Sequence, residues 1–110
     1  MGGWTPLITA SCVPKLQVCE YLLKCGANVN AQTDHGTTSL MNACLVGCPK
    51  TVKLLLAAGA NLSLKDRNGA TAMTFCLAKN NKECLKLLGK QYEEEAGALV
   101  TWIRRTLVHE

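Results

Sequence analysis

The chain has 110 residues, enough for one small domain and too few for a large core. Apolar residues make up 48% and charged residues 18%, which excludes an intrinsically disordered chain, and the long unbroken apolar run of a membrane span is missing. The net charge of +4 is uneven: residues 1–92 carry ten Lys or Arg against four acids (+6), whereas residues 93–110 carry two against four (−2), a split that bears on partners rather than on fold.

In chain order, the start Met1-Gly2-Gly3-Trp4-Thr5-Pro6 departs from a myristoylation signal at Pro6. It also lacks the basic end and apolar stretch of a secretory signal, so cytoplasm or nucleus is the expected compartment. From Gly3 onward the chain is periodic. Gly3, Gly36 and Gly69 are evenly spaced, and each is followed two places later by threonine (Thr5, Thr38, Thr71). Leu22-Leu23 and Gly26-Ala27-Asn28 recur at the same step as Leu55-Leu56 and Gly59-Ala60-Asn61. Residues 3–35 and 36–68 share ten identities, and a third, partial unit over 69–90 retains fewer, as expected of an end unit in an array.

Each unit reads as turn, short helix, turn, longer helix. In the second unit Thr38 caps a helix whose apolar positions Leu40, Met41, Ala43 and Cys44 follow helical spacing, and Gly47 ends it. Pro49 suits the first turn of the next helix, which carries Val52 and Leu54 to Leu56 as far as the closing Gly59. Residues 31–35 and 64–68 are polar turn formers followed by glycine, and they predict projecting hairpin-like loops. Helices this short are marginal alone, so neighbouring units must bury each other's faces. Over 91–110, Tyr92, Ala96, Leu99, Val100, Ile103 and Leu107 form one helical stripe, predicting a helix that caps the stack or, through Trp102, binds a partner.

Seven cysteines are an odd number and form no Cys-x-x-Cys pair, which argues for small core hydrophobes in a reducing compartment rather than a disulfide framework. Zinc binding or redox sensing is the minority alternative. Cys44 and Cys48 lie a helical turn apart, but His35 and His109 complete no recognisable ligand set.

Gly3-Trp4-Thr5-Pro6-Leu7 with Ala10, and Leu22 through Asn30, resemble the opening and close of an ankyrin repeat, over about residues 3 to 90. The resemblance implies an all-α solenoid of about three helix-turn-helix units with short hairpin-like loops and a C-terminal helix. Departures accompany it. The family's proline stands only at Pro6, being Ser39 and Ala72 later, its histidine is Ile8, Met41 and Thr74, and its Gly-His between helices is Pro14-Lys15, Gly47-Cys48 and Asn80-Asn81. The lost hydrogen bonds imply modest stability and a loosened third unit. The chain also opens at a repeat glycine without the arm expected before it. That suggests a piece of something longer, whose first helix would expose Leu7 and Ile8 unless something covers them.

No catalytic constellation or phosphate-binding loop emerges: His35 has Asp34 beside it, but adjacent turn residues rarely make a base and its orienter, and no nucleophile faces them. The expectation is a non-enzymatic interaction module, adaptor or scaffold, with no cofactor and no metal. By resemblance the contact positions are Trp4, Cys12 and Val13 in the first unit and Gln32, Asp34, His35, Thr37, Leu45 and Val46 in the second. The third contributes Lys65, Arg67, Asn68, Ala70, Ala78 and Lys79. They grade from apolar to basic, matching a protein partner with an acidic patch; no membrane role is indicated and the oligomeric state is open. Nucleic acid bound by the basic body is the alternative. It is disfavoured because Trp4, Tyr21 and Phe75 are the only aromatics within the repeats and the basic residues are scattered over outer helices. A third possibility is that the piece has no function of its own.

Overall fold

A computed structural model describes residues 3–13 and 15–96. Six helices follow one another: α1 (Pro6–Ala10), α2 (Leu16–Lys24), α3 (Ser39–Val46), α4 (Pro49–Ala57), α5 (Ala72–Lys79) and α6 (Lys82–Ala96). No strand occurs among the described residues. The first helices α1, α3 and α5 pack in one layer and the second helices α2, α4 and α6 in another. The body is elongated, with principal extents of 49 × 28 × 22 Å.

The local signals act as their chemistry requires. Thr5 and Thr38 hydroxyls accept the Ile8 and Met41 backbone N–H groups, both at 3.2 Å, satisfying donors that a helix start leaves open. Pro6 and Pro49 stand in the first turns of α1 and α4. Ser39 occupies the position equivalent to Pro6, and its buried hydroxyl finds no hydrogen-bond partner. Thr38 before it is extended (φ −107°, ψ 167°), the conformation a following proline demands. Ser39→Pro is therefore expected to stabilise the chain by about 1 kcal/mol, through a stiffer unfolded chain and loss of an orphaned hydroxyl. The urea midpoint should rise with an unchanged slope.

The core runs through both layers. Leu7, Leu40, Met41, Cys44, Val52, Leu55, Cys76, Cys84 and Leu88 are buried in one continuous cluster. Leu7 and Ile8, expected to lie open without a preceding unit, are both buried, because α1 packs on α2 and on α3 of the unit that follows. A helix face exposed at an array end is the face away from its neighbour, and Leu7 and Ile8 are on the other side.

Side-chain amides tie the units together, one of them, Asn81, at a position where the chain departs from the family pattern. The Asn42 side chain donates to the Ile8 carbonyl (3.1 Å) and the Asn81 side chain to the Gly47 carbonyl (3.2 Å), each bridging successive units. Asn30 donates to the Gly59 carbonyl (3.3 Å) and accepts the Asn61 N–H (2.7 Å).

The third unit departs from the periodic reading at its end. The closing glycines Gly26 and Gly59 sit at φ +90° and +93° and stop α2 and α4, but the next position in register is residue 92, a tyrosine. Nothing stops the helix there, and α6 runs through residue 90 to Ala96. The stripe expected to continue to Leu107 lies, beyond residue 96, outside the described residues.

Candidate functional site

The loops that join the units are tight turns built on one side chain each. In the first, the buried Thr33 hydroxyl accepts the His35 and Thr37 N–H groups at 3.2 and 3.1 Å, and the Thr33 N–H donates to the Thr37 carbonyl at 3.0 Å. In the second, Asp66 does the same one period later, one carboxylate oxygen accepting the Asn68 and Ala70 N–H groups, both at 2.9 Å. A hydroxyl and a carboxylate thus close the same turn, since each presents an acceptor at the same place.

The two loops are bonded to each other. Gln32 Nε2 donates to the Gly36 carbonyl (2.9 Å) and the Lys65 carbonyl (3.1 Å), and the Arg67 N–H donates to the His35 carbonyl (2.9 Å). The Arg67 guanidinium adds a bond to His35 Nδ1 at 3.3 Å. The ring nitrogen facing a neighbour is thus held by an arginine, not by the Asp34 carboxylate. Gln32 is a structural tie, while Asp34, His35, Lys65, Arg67 and Asn68 project at the exposed tips, and Thr37 and Ala70 are half-buried at the loop bases.

Below the tips, the ends of the first helices present an apolar strip. Trp4 is 52% exposed, Val13 43%, Leu45 43% and Val46 44%, with Leu77 at 61%. Cys12, Ala78 and Lys79 are exposed beside them. Val13 and Val46 stand one period apart, as do Cys12, Leu45 and Ala78, so stacking repeats the strip once per unit. Leu77 escaped the sequence reading. Its equivalents Ser11 and Cys44 are buried, and an apolar residue at helical spacing reads as core. The signal available was its place in the last described first helix.

The cysteines divide by environment. All seven are free, and no group of three or more potential metal ligands occurs among the described residues. Burial pushes the Cys44, Cys76 and Cys19 thiols up, and it holds the Cys84 thiol at about 11. Cys48 differs. Burial pushes it up, but the Thr51 hydroxyl, which donates to its sulfur at 3.2 Å, the Thr51 and Lys50 N–H groups and the Lys50 charge outweigh that and leave it below the ordinary range.

Thiol titration with a disulfide reagent at neutral pH should therefore label Cys48 well before Cys44, Cys76 and Cys84, which react only on unfolding. The buried thiols hold their protons when folded, whereas in the unfolded chain they ionise near the ordinary value of 9.0. Their contribution is fully present below that value. It is lost as pH rises from about 9 toward 11, and unfolding free energies measured across that window should fall.

Paired helices stacked in two layers, tied by bonded loops and carrying a repeated apolar strip beside polar tips, define a repeat solenoid. The family pattern of ankyrin repeats, in three copies, matches residues 15–98, and the chain belongs to the ankyrin repeat family. Repeats of this family are generally protein-interaction modules and typically non-catalytic. No curated protein matches the chain. No helix among the described residues is long and apolar enough to cross a membrane.

Proposed function

We propose that the chain is a non-enzymatic adaptor or scaffold piece, in cytoplasm or nucleus, that binds another protein through its loop tips and first helices. The observation that carries this reading is the recurrence of exposed apolar pairs at the ends of successive first helices, Val13 beside Cys12 and Val46 beside Leu45. Contiguous exposed apolar surface on a folded chain marks an interaction site, and the exposed Trp4, in register with Thr37 and Ala70 at the loop bases, is of the type favoured at binding hot spots. Lys65, Arg67 and Lys79 flank the strip, so the partner fitted to it has an acidic patch beside an apolar one.

Affinity purification tests this with two variants of unchanged thermal midpoint, Leu45→Asp with Val46→Asp, and Lys65→Glu with Arg67→Glu. Both should lose the same protein, the first by tenfold or more in recovery (about 1.4 kcal/mol). Equal recovery with wild type and both variants would remove the assignment.

A further inference from the structure

The opposite face, formed by the second helices, carries a pattern that the recognition face does not need. Three hollows flank α4: one shared with α6, lined by Lys53, Leu56, Leu87 and Lys90, and two toward α2, lined by Leu16, Leu23, Lys24, Lys50, Lys53 and Leu54. Ala57 lines all three, so they meet at its small side chain on either side of the α4 ridge. The floors are leucine. Four exposed lysines, Lys24, Lys50, Lys53 and Lys90, stand around them against one acid, Glu20.

The charge extends beyond the hollows. Of the ten Lys and Arg in residues 1–92, seven lie on or just before the second helices: Lys15, Lys24, Lys50, Lys53, Lys82, Lys86 and Lys90. Only Glu20 and Glu83 oppose them among the acids of α2, α4 and the described side chains of α6. Spacings of four residues place Lys82, Lys86 and Lys90 in one stripe of α6. Leucine floors with lysine rims are the complement of a helix with one leucine face and acidic flanks, because the long lysine stems cover apolar surface while their ammonium groups reach outward.

We propose that this face is a second binding site, independent of the loop-tip face, whose ligand is an acidic amphipathic helix lying along α4. An anionic membrane or a nucleic acid would use the lysines alone. The leucines that line the hollows on both sides of α4 distinguish the peptide from both.

The test uses a dye-labelled peptide of about 14 residues, roughly four helical turns, with leucine at helical spacing on one face and glutamate elsewhere, read by fluorescence anisotropy at low salt. Wild type and Arg67→Glu should bind it equally, and the same peptide with lysine for glutamate should not bind. Lys50→Glu with Lys53→Glu should weaken binding about tenfold or more. Ala57→Gln, which changes no charge but crowds the residue that lines all three hollows, should also weaken it severalfold, which simple charge attraction would not. Amide chemical shifts of wild type with the peptide should move along α2, α4 and α6, a readout that needs no variant to fold. Binding unaffected by Ala57→Gln, loss on Arg67→Glu, or shifts confined to the loop tips would each overturn the proposal. So would retention on phosphatidylserine vesicles or random oligonucleotides with no binding of the peptide.

Discussion

Gly36→Ala is expected to destabilise the chain by about 3 kcal/mol. Gly36 sits at φ +82°, and a Cβ built there would lie 2.7 Å from Asp66 Cα and 3.1 Å from the Lys65 carbonyl oxygen. These are backbone atoms of the next loop and cannot rotate away. The left-handed conformation alone costs an alanine about 1–2 kcal/mol. The remainder comes from forcing the loops apart, which weakens the Gln32 bond to Lys65 and the Arg67 bond to His35. Gly69→Ala separates the two parts, because Gly69 has nearly the same φ, +81°, with nothing within 4 Å of its Cβ position. It should lose only the conformational part. Equal losses in urea unfolding of the two variants would show that the contact between loops contributes nothing.

Leu40→Ala is the other large effect, at about 3–4 kcal/mol. Leu40 is fully buried in α3, which packs on α1 of the unit before and on α5 of the unit after, so the void opens in the middle of the stack. At about 4–8 °C per kcal/mol for a domain of this size, the thermal midpoint should fall by roughly 12–32 °C. Helices this short derive their stability from their neighbours, so the loss should be shared. Native-state hydrogen exchange should speed up in all described helices together rather than in α3 alone. Leu45→Ala, on the exposed side of the same helix, should change stability by no more than about 0.5 kcal/mol.

What the sequence made legible is whatever the period repeats. The cap at Thr38, the stop at Gly47, the proline start of α4 and the loop positions are local chemistry, and all are found in the fold. The apolar positions Leu45 and Val46 are exposed. What was not legible depends on partners far along the chain. Asn42 reaches Ile8, Asn81 reaches Gly47 and Gln32 reaches Lys65, each about one period away, and a polar side chain gives no sign in sequence of which distant carbonyl it meets. The same is true of Thr33, which closes its turn as Asp66 does despite a different side chain. Burial of Leu7 and Ile8 depends on which side of α1 faces the next unit, and the continuation of α6 on a glycine missing at position 92.

Under the proposed function, a protein partner binds at the loop tips and the ends of the first helices. Hydrogen exchange of the chain, alone and in the complex recovered by affinity purification, tests that assignment most directly. Exchange at residues 33–37, 45–47, 66–70 and 77–80 should slow on binding. Protection confined to the second helices, with those segments exchanging as in the free chain, would contradict it.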